Sequence, residues 1–167
     1  TEIVRQSGIG MPAMLEAFTH EVGEAYDQLA SPNPGSDFDE AADLTASRLT
    51  LMGDDELDLD IRIRDIGHAL RQSGGRETPR CQLAYRAMLG RPQMSDHSSP
   101  IGADVICVGL WAICRCYGGD LEQRLALLER IESGLRQQLP GLYRQLSELL
   151  AQHGIEPFPT SRQANVP

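Results

Sequence analysis

The chain has 167 residues, the length of one ordinary domain, and 41% of them are hydrophobic, a value typical of globular proteins. Its formal charge of −9, without any cluster of arginines interleaved with aromatic residues, excludes a phosphate-binding stripe for nucleic acid. Aromatic residues make up only 5%, so we expect a core of aliphatic side chains, a composition that favours helices over sheets.

The sequence predicts a cytoplasmic protein that does not insert into a membrane. Its N-terminus lacks a charged segment followed by an apolar stretch, as a secretory signal would have. The longest apolar segment, residues 101–116, is shorter than the ~20 residues that a membrane span needs. The four cysteines fit neither a zinc ribbon nor a small disulfide scaffold.

The first predicted helix covers residues 12–29, where apolar side chains recur at alternating spacings of three and four. This stripe consists of Leu15, Phe18, Val22, Ala25 and Leu29. Prolines and a glycine at 31–36 then predict a loop, and acidic residues open a second predicted helix at 37–51. We therefore divide the chain into an N-terminal amphipathic helix with a hinge (1–36), a helical bundle core (37–155) and a tail (156–167) that is disordered or a linker.

Residues 54–71 contain two conflicting patterns. The alternation of apolar residues from Leu57 to Ile63 is typical of a strand, whereas the spacing of Ile63, Ile66 and Leu70 is helical. Acidic residues at the start, arginines further along and two glycines past the end are helix signals. We predict a helix.

Three further helices, or four, follow along the chain. A short one is predicted over 79–89, and Ser99 with Pro100 then opens the most apolar helix, residues 100–117. Asp120 is predicted to cap the next helix, and Pro140 either opens another one or kinks the same one. The sequence therefore predicts an all-α bundle of about six or seven helices around the central apolar helix 100–117.

Three segments resemble the motifs of a known family. Residues 49–57 (LTLMGDDEL) resemble an L-S-L-V-(D/E)-(D/E)-(D/E)-L signature, and residues 99–107 (SPIGADVIC) are similar to an N-P-L-G-P-x-x-L-C helix opening. Residues 142–155 (LYRQLSELLAQHGI) are similar to a closing helix L-Y-x-x-L-N-x-L-L-x-x-A-G-V. In this order, over residues 37–158, they resemble the bacterial domain of unknown function 1631 family, DUF1631.

The resemblance implies a helical domain taken from a longer bacterial, cytoplasmic protein. It also implies that some members end in a domain similar to PilZ, which binds cyclic di-GMP. Members are sometimes labelled thymidine phosphorylase, but a phosphorylase needs a phosphate cradle, and this sequence has no glycine-rich loop between a strand and a helix. No functional residue is carried over from the family.

The titratable residues do not predict a metal or catalytic site. Cys107 and Cys114 share a helix face, but Cys116 is turned by about 200° from Cys114, so we expect core packing, with a metal or redox role as the alternative. The acidic runs at 37–43 and 54–60 lack the glycine and terminal glutamate of a calcium loop. They predict solvated helix starts, with a basic partner protein as the alternative.

A few other residues have a functional alternative. His97 lies beside Asp96 and two serines in one loop, an adjacency that favours a cap over a catalytic triad. Trp111 is predicted as a core anchor rather than a ligand-stacking ring. The loop with Arg76 and Arg80 is the one place where local positive charge could meet an anion, although a solvated loop is favoured.

These patterns favour a non-enzymatic helical protein-interaction or regulatory module of a larger bacterial cytoplasmic protein. Self-association through the first helix is the concrete form, with Leu15, Phe18, Val22 and Leu29 as interaction residues. A relay or sensor domain in cyclic di-GMP signalling is the alternative, and an enzyme ranks third. We expect a protein partner or a homo-oligomer, no cofactor, no metal and no nucleic acid.

Overall fold

A computed structural model of the protein describes residues 10–32 and 53–157, and over these residues it contains five α-helices and no strand. They are α1 (Met11–Ala30), α2 (Asp54–Ser73), α3 (Glu77–Leu89), α4 (Ala103–Tyr117) and α5 (Leu121–Gln152). The predicted all-α class is confirmed. The predicted helix 37–51, the hinge boundary at 36 and most of the predicted tail lie outside the described residues.

Helix α2 resolves the conflict between the two apolar patterns. Its acidic first turn starts at Asp54, where carboxylates stabilise the helix dipole. Leu59, Ile63 and Ile66 are buried, whereas Leu57 and Ile61 are exposed. The alternating apolar residues are therefore divided between two faces of one helix.

Helix α4 begins three residues later than predicted. Its N-cap residue is Gly102, so the prediction that Ser99 caps this helix is wrong. Ser99 is fully buried and its hydroxyl donates to the side-chain oxygen of Gln82. A turn closed by a 2.9 Å hydrogen bond from Gly102 N to Ser99 O then leads into the helix. The serine hydroxyl is used by a tertiary contact, which local sequence does not reveal.

Helix α5 is a single helix of 32 residues with Pro140 inside it. It starts with a capping box, in which the Asp120 carboxylate accepts from Gln123 N at 2.9 Å. Proline removes one helical hydrogen bond, but Leu139 and Tyr143 on either side are buried, and their packing holds the helix together. The sequence predicts six or seven helices in the whole chain, and the structure contains five over 10–32 and 53–157. The predicted helix 37–51 is outside these residues, and no separate helix begins at Pro140.

Helix α4 packs against α1 and α2, and α5 packs against α2 and α3. Two glycines allow the closest approaches. A methyl group at Gly109 would lie 2.4 Å from Cδ2 of Phe18 on α1, and one at Gly67 on α2 would lie 2.7 Å from Sγ of Cys107. The core between the helices is aliphatic, as the composition predicts, with Leu110 and Leu128 fully buried.

Helix α1 is joined to the rest of the fold at its C-terminal end. Its last turn has no basic residue, but the Arg91 guanidinium donates to the carbonyl of Leu29 at 2.7 Å and to that of Ser31. The Tyr26 hydroxyl contacts the Tyr85 hydroxyl of α3, with the rings edge to face at 6.3 Å. Arg91 thus supplies the positive charge that a helix C-terminus favours.

Candidate functional site

The predicted interaction stripe on α1 divides into a packed part and an exposed part. Phe18 and Val22 are half-buried against Gly109, and Leu29 is buried against α4. Leu15 is 62% exposed, and Met11 one turn before it is also exposed. Three of the four predicted interaction residues therefore contact the protein's own α4, and a contact of the stripe with another chain stays a prediction.

Exposed apolar side chains occur in pairs on the described helices. Six of the seven large exposed apolar residues are spaced by four or seven along one helix, so the members of each pair share a face. The pairs are Met11 with Leu15 on α1, Leu57 with Ile61 on α2, and Leu142 with Leu149 on α5. Such pairs are a candidate contact surface, because a buried position for them exists only against another molecule or segment.

The pair on α5 was not predicted to be exposed. The apolar spacing assigns Leu142, Leu146, Leu149 and Leu150 to one face, yet Leu142 and Leu149 are 56% and 50% exposed, whereas Leu146 is half-buried against the core and Leu150 is buried. Spacing alone does not separate the two groups, because the exposed Leu142 and Leu149 are seven residues apart and so are the buried Tyr143 and Leu150.

A cavity of about 230 Å³ lies where α3 and α4 begin. Its polar lining includes Arg71, Thr78, Gln82, Asp96 and Tyr143. Burial and the nearby Cys81 raise the pKa of Tyr143 to about 12, and its hydroxyl donates to Ile101 O at 2.8 Å. Tyr143 thus lines the cavity as a neutral phenol, and its proton is already used in the hydrogen bond to Ile101 O.

Charges around this cavity are compensated. Arg71 pairs with Asp104 at 3.0 Å, and Asp96 pairs with Arg86. Arg71 lines the cavity, whereas Arg76 and Arg80, which the sequence suggested for an anion, are exposed on the surface. The guanidinium that reaches the cavity already has a carboxylate partner.

The loop around His97 does not form the triad that its sequence superficially offers. Nδ1 of His97 lies 3.1 Å from the Asp104 carboxylate, not from Asp96. The Ser98 hydroxyl bonds to the Ser95 hydroxyl at 2.9 Å, and Ser99 is buried against Gln82. The structure brings His97 to an aspartate and directs both neighbouring serines elsewhere.

The four cysteines are free thiols. Burial raises the pKa of Cys107 and of Cys114 from 9.0 to about 11, and it also raises the pKa of Cys81. Cys107 lies against α2, with its Sγ 3.5 Å from Ile63 O. Within 10–32 and 53–157, no group of three or more histidine, cysteine or acidic side chains is arranged to hold a metal ion. Protonated thiols of this kind behave as small apolar side chains.

Trp111 is half-buried and packs against the core, with the Arg115 guanidinium 5.7 Å from its ring centre. This cation–π contact is made within one helix.

None of the described helices is both long and apolar enough to cross a membrane. Comparison with curated proteins gives no match, and no solved structure matches the chain. The sequence profile described as "Protein of unknown function (DUF1631) N-terminal domain" matches residues 8–154. That range covers most of the chain, and the protein therefore belongs to the DUF1631 family, as its motifs suggested.

Proposed function

We propose that this domain is a non-enzymatic helical protein-interaction or regulatory module of a larger bacterial cytoplasmic protein. The observation that carries the proposal is the pairing of exposed apolar side chains along helix faces. Scattered exposed leucines are ordinary on a protein surface, but apolar residues that repeat along one face are typical of a docking surface.

The outer end of α1 is the surface proposed for a protein partner. Leu15 and Met11 are exposed there, and an open depression beside them is lined by Pro12, Glu16 and His20, among others. Close packing at Gly109 and the Arg91 contacts hold α1 against the rest of the domain. A pair of apolar side chains on a fixed helix loses little conformational entropy on binding, which favours affinity.

A photocrosslinking amino acid at position 15 of the full-length protein tests this surface in cells. A matched probe at Glu24, exposed on the opposite side of the same helix, is the control. We expect a protein that is crosslinked from position 15 and not from position 24. With that partner purified, Leu15→Glu should weaken binding by about tenfold or more, roughly the worth of one buried leucine.

Folding of the Leu15→Glu variant is checked by its helical circular dichroism and its melting temperature, which should match those of the parent protein. Glu24→Gln should bind as the parent does. Equal crosslinking from both positions, or unchanged affinity of a folded Leu15→Glu variant, would contradict the proposal.

A second candidate function is the relay of cyclic di-GMP binding, which the family resemblance implies through members that end in a domain similar to PilZ. The cavity of about 230 Å³ is smaller than the roughly 300–1,000 Å³ of pockets that enclose drug-sized ligands. In this proposal the nucleotide binds elsewhere in the full protein, and this domain responds. Titration calorimetry of this domain alone with cyclic di-GMP should show no heat of binding. In the full-length protein, the nucleotide should change the amide hydrogen exchange of this domain. Unchanged exchange in a nucleotide-bound full-length protein would eliminate this candidate.

A further inference from the structure

The cavity where α3 and α4 begin is lined by several elements of the fold. Arg71 comes from the last turn of α2, Gln82 from α3 and Tyr143 from α5, and Asp96 lies in the connection between α3 and α4. The cavity opens to solvent beside the exposed Asp96 and Pro79. Its volume of about 230 Å³ is the space of roughly seven or eight water molecules. A small organic molecule with about that many non-hydrogen atoms therefore fits.

The wall of this cavity contains a buried amide with an unused donor. Gln82 is only 6% exposed, and its side-chain oxygen accepts from the Ser99 hydroxyl. Its side-chain nitrogen has no hydrogen-bond partner among residues 10–32 and 53–157. The Thr78 hydroxyl in the same wall is buried and also lacks a partner. Buried donors without partners cost free energy, so an occupant that accepts a hydrogen bond from Gln82 is favoured.

Two further groups of donors favour a carboxylate in the cavity. Gly102 and Ala103 line it at the start of α4, and no side chain caps the first N–H groups of this helix. These groups carry the positive end of the helix dipole. Arg71 adds a full charge, since only its Nη1 donates to Asp104, at 3.0 Å, and its other nitrogens bond to none of the described residues.

Asp96 supplies the opposite charge in the lining. Its Oδ1 accepts from Arg86, whereas its Oδ2 has no partner in the part of the chain that the structure describes. Together with the pair of Arg71 and Asp104, this ion pair leaves the site without net charge. A ligand with a single charge would add an uncompensated charge to a partly buried site, which costs desolvation energy, whereas a zwitterion brings both charges.

We propose that this cavity binds a free α-amino acid with a short side chain. Arg71, the Gln82 amide and the start of α4 bind its carboxylate, and Asp96 binds its ammonium group. The buried apolar residues of the lining, Leu70 and Ala103, pack against its side chain. The volume of the cavity limits the ligand to roughly eight non-hydrogen atoms, the size of valine.

Titration of this chain, followed by nuclear magnetic resonance, tests the site. The probes are L-alanine, L-serine and L-valine, each raised to millimolar concentration. At least one should shift both the side-chain amide signal of Gln82 and the backbone amide signal of Ala103. For valine, the analogue isovalerate lacks the ammonium group and isobutylamine lacks the carboxylate. Each analogue should bind about tenfold more weakly than the amino acid or worse, because it loses a hydrogen bond between charged groups.

Two variants test the groups assigned to each end of the ligand. Asp96→Asn should weaken binding of the amino acid by about tenfold and reduce its advantage over the carboxylate analogue. Arg71→Met should weaken binding of both compounds. Asp58→Asn and Arg130→Met, which change exposed residues outside the lining, are the matched controls and should leave binding unchanged. Circular dichroism verifies that all four variants fold.

Three outcomes would overturn the proposal. In the first, none of the three amino acids shifts the signals of Gln82 and Ala103, which would mean that the cavity holds only water. In the second, the analogues with a single charge bind as tightly as the amino acid. In the third, binding survives both Asp96→Asn and Arg71→Met. The cavity is separate from the outer end of α1, so Leu15→Glu should leave amino-acid binding unchanged.

Discussion

At Gly109, α4 approaches α1 so closely that a side chain of even one carbon would overlap its neighbours. The added carbon would lie within 2.7 Å of Cγ2 of Val22 and still closer to the Phe18 ring. Gly134, in the middle of α5, has nothing within 4 Å of the same position. The two glycines therefore differ in packing while sharing helical conformation.

Gly109→Ala should lower the free energy of unfolding by about 1–2 kcal/mol, because overpacking costs more than the gain in helix propensity. Gly134→Ala should raise it by about 0.5–1 kcal/mol, because only the propensity gain applies there. Denaturant unfolding measures both. Shifts of the same sign in the two variants would contradict the packing at Gly109.

Buried thiols should make the protein less stable in alkali. The folded pKa of Cys107 and of Cys114 is about 11, above the ordinary value of 9.0. Above pH 9 the unfolded chain therefore loses protons that the folded protein keeps, and stability falls with rising pH. The expected loss is about 1 kcal/mol per thiol between pH 9 and 10. Denaturant unfolding at the two pH values measures this loss of stability. Cys107→Ser removes one titrating thiol and should lose less stability. An equal loss in that variant would show that Cys107 does not contribute to the effect.

At the scale of elements, the contacts of Arg91 hold the end of α1 to the connection between α3 and α4. Arg91→Ala should lower the free energy of unfolding by about 1–2 kcal/mol, a typical contribution of a hydrogen bond from a charged group that is partly exposed to water. Amide hydrogen exchange should quicken in the last turns of α1 more than in α5. Arg80→Ala, which changes an exposed arginine on α3, is the control. Equal protection of α1 in both variants would show that Arg91 does not hold this helix end.

Periodicity predicted the helices well and their ends less well. In α2, Ile63, Ile66 and Leu70 already defined the buried face, and the acidic first turn defined its start. Pro140 is a local signal for a break, but buried neighbours on both sides override it. Such outcomes depend on tertiary contacts, which no local pattern contains.

At the scale of the whole molecule, the negative charge should make stability depend on salt. Five arginine–carboxylate ion pairs are formed among the described residues, most of them partly exposed and therefore weak, whereas the net charge of −9 acts on the entire fold. Raising sodium chloride from about 10 mM to about 300 mM should therefore raise the melting temperature by a few degrees, since screening weakens the net repulsion. Calorimetry measures the change.

Asp65→Asn with Glu129→Gln is the charge control, because both side chains are exposed, both lie away from helix ends and two carboxylates are removed. This variant should gain less from salt than the parent protein. A melting temperature that falls with salt would mean that the ion pairs outweigh the repulsion.

The candidate surfaces were harder to predict than the fold. Leu15 and Leu29 belong to one stripe in the sequence, but only the packed structure separates the exposed residue from the buried one. Leu142 and Leu150 look equally apolar, and their different exposure follows from which side of α5 the neighbouring helices α2 and α3 cover. Composition and spacing define the apolar faces, and the arrangement of neighbouring helices decides how much of each face remains uncovered.

The contact between Gly67 and Cys107 has a consequence for chemical labelling. Because even one carbon at Gly67 would come within 2.7 Å of the sulfur, an alkyl or oxygen adduct on Cys107 does not fit on the side that faces α2. A reagent that approaches from this side captures Cys107 only while the two helices are apart, and the captured molecule is prevented from closing again. The rate of capture at saturating reagent is then a direct measure of how often this pair of helices separates.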